Sequence, residues 1–416
     1  MNIYTLIVNF ILILPCMVFF ISDVLNIKHL SNNIPEEFQT YYNKDSYIKS
    51  QLYLKSNTLF NILCSVYLLF IQLLFLNLGG FVKLNEFVKS FNFNYIISGI
   101  LFTSIIILFN NILQIPFQLY RVFIIEEDFG FNKMTMRLFF TDLIKSYIIN
   151  ILIVNILIVT ILFCLNSFSK YAWGIIFIFI ILFEIFIACI APITIMPLFN
   201  KYTPMKEGIL KDAIAHYLQK ENLNMQGIFI IDGSKRSTKT NAFLTGFWKF
   251  KRIVFFDTLI QNHTKEEILS ILGHEVGHYK LHHITKNLAL SFISTAVMLS
   301  VFALLINRTW VYTAFMLSNY SLYAGLIFIN ILYMPINLIM NIIGNYLSRK
   351  YEYQADLYSI KTYKNADSMI HGLKKLSVDN LSNLTPHKFK VFLNYTHPTI
   401  INRIQAIQKE VKKYKE

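Results

Sequence analysis

His274 and His278 stand four residues apart in the run H-E-V-G-H, with Glu275 between them. On an α-helix positions i and i+4 share a face, so the two imidazoles can reach one metal ion while the carboxylate reaches a water beside it. That trio is the minimal kit for zinc-assisted hydrolysis of a peptide bond, with Glu275 as the general base that takes a proton from water and returns it to the leaving amine. Catalytic zinc usually takes three protein ligands and keeps a fourth position for water, so one more ligand must come from elsewhere. Glu352, in the run E-Y-Q-A-D, is the best candidate. Asp356, one helical turn further on, is suited to accept an N–H from a ligating imidazole and so fix its tautomer. His282 extends the strip to i+8, but eight residues put its Cα about 12 Å from that of His274, too far to share a centre with bonds of about 2.1 Å. His282 and His283 therefore read as interfacial residues at the start of the next apolar stretch.

The elements that must carry these groups are mostly apolar. Of 416 residues, 55% are hydrophobic, 16% aromatic and only 15% charged, and the mean hydropathy is +0.49, outside the range of ordinary soluble domains. Apolar stretches near residues 3–23, 57–80, 94–116, 147–168, 171–196, 287–307 and 321–345 are each long enough to cross a hydrocarbon core of roughly 30 Å. The sequence thus predicts a polytopic, mainly α membrane protein with seven spans, the first a retained helix rather than a signal peptide. Of 38 Lys and Arg, all but Lys83, Lys89, Lys170 and Arg308 follow spans one, three, five or seven, which places those segments in the cytosol and the N-terminus outside. Both halves of the metal site then face the cytosol. Basic inner loops account for the net charge of +14 without a nucleic-acid partner. Cys16, Cys64, Cys164 and Cys189 all fall in predicted spans, which argues against disulfides and thiolate ligands.

Four regions follow: 1–196 with spans one to five, 197–286 with the H-E-x-x-H helix, 287–345 with spans six and seven, and 346–416 with the third ligand. Residues 197–286 suit a small α+β unit, with a helix over 206–220 and strands at 228–232 and 253–257. Thr264 and Glu267 form a capping box that starts the motif helix. If the last span continues into the cytosol as helix, Glu352 and Asp356 share one face. The acidic run Glu126, Glu127, Asp128 is open to two readings, a solvated loop or a piece packed on the catalytic block. Glu184, inside span five, suggests a polar interior rather than lipid contact. His397, with Arg403 behind it, is a candidate donor to a tetrahedral oxyanion or holder of a substrate carboxylate.

The ordered series I-E-E-D-F-G-F-N-K-M-T, P-L-F-N-K-Y-T-P, D-G-S-K-R-S-T-K-T-N-A-F, K-R-I-V-F-F-D-T-L, H-E-V-G-H-Y-K, S-R-K-Y-E-Y-Q-A-D and H-P-T-I-I-N-R-I resembles the type I CAAX prenyl protease family of integral-membrane zinc metallopeptidases over nearly the whole chain. The resemblance implies one Zn²⁺ per chain on His274, His278 and Glu352, catalysis by Glu275, and His397 and Arg403 near the site. It implies seven helices ringing an intramembrane chamber, in an endoplasmic reticulum or bacterial plasma membrane, with membrane lipid around it. It implies substrates that are prenylated protein C-termini, cut after the modified cysteine to release a tripeptide, with Asn241 and Ala242 pairing to substrate as an added strand. Thr399 departs from the family's H-P-P triplet. Rival readings are a general membrane quality-control protease, an intramembrane protease of the site-2 type, and a transporter or lipid-binding protein with structural metal. The site-2 reading fits poorly, because the histidine pair precedes span six and no N-x-x-P-x-x-x-L-D-G run is present.

Overall fold

The computed structural model describes residues 2–246 and 251–415. Among them, six helices are long and apolar enough to cross a membrane: Ile3–Lys28, Lys44–Asn77, Tyr95–Asp128, Met136–Ser167, Ala172–Phe199 and His283–Leu305. Four of these start on side-chain caps, where Asn2, Asn43, Asn94 and Thr135 each accept a backbone N–H of the first turn. Only 6–28% of the most apolar window of each span is buried, as expected of a wall with one face to lipid and one to an interior space. Glu184 is held within that wall: Ser291 and Thr295 of the sixth span donate to its carboxylate at 3.0 and 2.9 Å.

The seventh span, expected over 321–345, is a bent pair: Leu322–Leu332 and Met334–Thr362 meet at 52°. Pro335 lies in the first turn of the second helix, where its missing N–H costs nothing but its ring prevents a straight continuation from the first. Beyond the bend the second helix runs unbroken through Glu352 and Asp356, both buried.

The polar unit holds a four-stranded sheet in the order β1-β2-β4-β3, from β1 (Tyr202–Pro204), β2 (Gly227–Ile231), β3 (Ala242–Thr245) and β4 (Arg252–Phe256). β2 and β4 are parallel, β3 is an antiparallel edge, and β1 was not foreseen. The β-branched and aromatic residues Ile253, Val254 and Phe255 are buried in β4, and Ile253 and Phe255 pack with Ile214, Tyr217, Ile268, Leu272 and Val276 into one core under the motif helix. That core fixes the helix to the sheet.

Two contacts join this unit to the membrane region. The run around Glu126 is structured: Lys239 pairs with the Glu126 carboxylate at 2.9 Å, Tyr53 donates to it at 2.6 Å, and Asn132 bridges to Ser237. Arg236 makes a bidentate pair with Asp142 of the fourth span at 2.8 and 3.1 Å.

Candidate metal centre

The motif helix, Lys265–Lys280, begins on the expected capping box, with Thr264 N–H to Glu267 Oε2 at 3.0 Å and Glu267 N–H to Thr264 Oγ1 at 3.3 Å. It lies against Met334–Thr362 at unusually short range. A Cβ on Gly277 would stand 3.1 Å from the Ala355 Cα and carbonyl oxygen, and one on Gly273 would stand 3.3 Å from the Ser359 Cα. Glycine at both positions, one turn apart, lets the two backbones approach until Glu352 reaches the histidines.

His274 Nε2 and His278 Nε2 are 3.0 Å apart, and the Glu352 oxygens lie 3.4 and 3.2 Å from them. Four donors about 2.0–2.1 Å from a tetrahedral centre would be separated by roughly 3.3 Å, so the three side chains fit one zinc-sized cation. Glu352 Oε2 is buried and has Arg403 Nη1 at 3.2 Å but no formed hydrogen bond among the described residues, which leaves it able to ligate a cation. The electrostatics point the same way. Burial alone would lower the His274 pKa, but hydrogen bonds donated to the Asp356 and Glu352 carboxylates raise it to about 9, so the cluster favours positive charge between its carboxylates. Burial pushes the Glu275 carboxyl above its ordinary value, against the pull of the two histidines.

Around the trio the remaining polar groups set ring orientations. Asp356 Oδ1 lies 2.8 Å from His274 Nδ1, so Nδ1–H donates and Nε2 is left for a cation. Arg403, buried, clamps Asp356 through Nε at 2.8 Å and Nη2 at 2.6 Å, with Nη1 at 3.2 Å from Glu352. Arg403, expected behind His397, has its guanidinium committed to two protein carboxylates. His397 is exposed, with Nε2 3.3 Å from Glu352 Oε1, and stands at the mouth of the site. Asn241 and Ala242 line the same cavity as His274, Glu275, Glu352 and His397.

His283 was read as interfacial and is instead buried beside the centre. Its Nδ1 is 3.0 Å from His278 Nδ1, its Nε2 is 3.0 Å from Gln354 Oε1, and its ring stacks on Tyr351 at 4.4 Å. If Nε2–H donates to Gln354, Nδ1 accepts from His278 Nδ1–H, and His278 Nε2 is freed just as His274 Nε2 is by Asp356. His282, at a left-handed φ of 57°, breaks the helix and folds His283 back. Extrapolating a straight helix missed that turn.

Residues 23–201 match the family model described as CAAX prenyl protease N-terminal, five membrane helices, and residues 204–411 match peptidase family M48. The chain belongs to peptidase family M48. Relatives are CAAX prenyl protease 1 of Saccharomyces cerevisiae, 29% identical over 90% of this chain and 88% of that one, and the CAAX prenyl protease 1 homolog of Dictyostelium discoideum, 34% identical over 77% and 76%. The crystal structure of S. mikatae Ste24p has the same fold, with a TM-score of 0.92 and 27% identity over 98% of this chain and 99% of that one. This M48 member is therefore a multi-pass membrane metalloendopeptidase.

Proposed function

We propose that the protein removes the C-terminal tripeptide of prenylated CAAX proteins, using zinc held by His274, His278 and Glu352 on the cytosolic side of an endoplasmic reticulum or bacterial plasma membrane. The observation that carries this reading is the three-donor cluster, with separations of 3.0–3.4 Å, carried beside a set of spanning helices. The printed activity of the relatives and the 34-to-4 split of basic residues support substrate and orientation.

Zinc, when bound, would supply Lewis acidity to the scissile carbonyl and to the attacking water. Glu275 takes the proton of that water and passes it to the leaving amine, and its raised pKa suits both steps. Asp356 and His283 hold the two imidazoles in the tautomer that presents Nε2, and Arg403 holds Asp356 and Glu352. His397 donates to the carbonyl oxygen as it gains charge. The open edge of β3 at Ala242 receives the substrate backbone as an added strand.

The test is to incubate the purified protein with a farnesylated peptide ending in C-a-a-X and with its unmodified twin, and to identify the products by mass spectrometry. Release of the intact tripeptide from the farnesylated peptide, lost in Glu275→Ala while bound zinc is retained, is the expected result. Equal cleavage by Glu275→Ala would contradict the assignment.

A further inference from the structure

Beside the metal centre, a cavity of about 200 Å³ is bounded by Ala242 and Glu275 on one side and the C-terminal end of helix Ala366–Asp379 on the other. Its flank is apolar, from Ile271, Met369, Leu373 and Leu376, whereas Ser377, Asn380 and Ser382 make one part of its wall polar.

Two independent features give that polar part a meaning. Asn380 stitches the start of the edge strand: its Oδ1 accepts the Thr240 N–H at 3.1 Å and its Nδ2 donates to the Thr240 carbonyl at 3.3 Å. Phe256 N–H donates to the Asn241 carbonyl at 3.0 Å, so Asn241, Phe243 and Thr245 turn their backbone groups to β4, and Thr240, Ala242 and Leu244 turn theirs to the open edge. The groups a guest strand would use at Thr240 are thus already taken, and an added strand must stop there. The second feature is polar and unsatisfied. Ser377 lines the cavity and is 2% exposed, and its Oγ has no hydrogen-bond partner among the described residues. Buried hydroxyls are seldom left so.

The length of edge available is short. From Leu244, whose backbone faces Glu275, to Thr240 the strand covers roughly 13 Å, and three extended residues need roughly 10 Å. Of the two products of a cut near Glu275, one continues into a whole protein and the other ends. Only the one that ends fits an edge that stops.

We propose that Ser377 and Asn380 form a blind terminus that receives the C-terminal carboxylate of the leaving tripeptide, so that the protein measures its cut from the free end of the chain. This deepens, and rests on, the cleavage proposed above. A carboxylate only accepts hydrogen bonds, and the Ser377 hydroxyl and the second N–H of the Asn380 amide can donate to it.

The test uses full-length protein and three farnesylated peptides: one with a free-acid tripeptide after the cysteine, one with that tripeptide as a primary amide, and one extended by two residues. The wild type should cleave the acid at least about tenfold better in kcat/KM than either of the others, chiefly through KM. In Ser377→Ala the acid-to-amide ratio should fall toward one, with thermal stability and zinc content as in the wild type. Equal cleavage of all three peptides by the wild type, at whichever bond, would overturn the blind terminus while leaving the protease reading intact. An unchanged ratio in Ser377→Ala would overturn the role of that hydroxyl, and Ser377→Gly, which removes the same hydroxyl with less demand on packing, must then agree. Absence of cleavage of any farnesylated peptide by the wild type would overturn the protease reading, and this inference with it.

Discussion

Asp356 holds two neighbours at once, the imidazole of His274 and the guanidinium of Arg403. Asp356→Ala should therefore act twice. It frees the tautomer of His274, which should weaken metal binding about 10–100-fold, and it leaves Arg403 buried without its main partner, at a cost of about 3–5 kcal/mol. Chelator competition and thermal unfolding separate the two effects, and metal affinity unchanged from wild type would contradict the first. His283→Ala makes a cleaner case, because it removes the partner of His278 without stranding a charge: metal affinity should fall by a similar factor with a smaller loss of stability. At this scale the sequence was legible where chemistry is carried by spacing within one element, as in His274, Glu275 and His278, or by a matching acidic pair, as in Glu352 and Asp356. It misplaced His283, whose position depends on a left-handed residue at 282, and it named Arg403 without its partners, which lie on another helix.

Between elements, the decisive contact is the close crossing of the motif helix and Met334–Thr362. A Cβ on Gly277 would meet Tyr358 Cβ at 2.9 Å and the Ala355 backbone at 3.1 Å, none of them the far end of a flexible side chain, so Gly277→Ala cannot be absorbed by a rotamer change. The two helices must part by a few tenths of an ångström, which should cost about 1–3 kcal/mol and carry Glu352 away from His274 and His278. The expected outcome is a metal affinity at least tenfold lower and a matching fall in peptidase rate; wild-type affinity in a folded Gly277→Ala protein would show that the crossing does not set the donor distances. The capping box and the helical run of the motif were readable because both are local rules. The 52° bend was not, although Pro335 marks it, because hydropathy averages over a window and a proline within an apolar run leaves that average high. β1 escaped for the opposite reason: three residues, one of them Pro204, are too few to show alternation.

Across the whole molecule, composition alone announced a membrane protein, since no soluble domain sustains such hydropathy over this length. How the polar unit sits on the spans was not legible, for that depends on pairs such as Arg236 with Asp142 and Lys239 with Glu126, more than ninety residues apart in sequence. Those pairs join the sheet whose edge faces Glu275 to the wall of spans. In the proposed reading, one cation held jointly by the helix ahead of the sixth span and by the prolongation of the seventh makes these parts a single catalyst. Metal content of the purified wild type and of Glu352→Ala, measured by mass spectrometry after dialysis against a weak chelator, tests this most directly. Close to one zinc per wild-type chain and almost none in the variant is the predicted result; a variant that keeps its zinc as firmly as the wild type would contradict it.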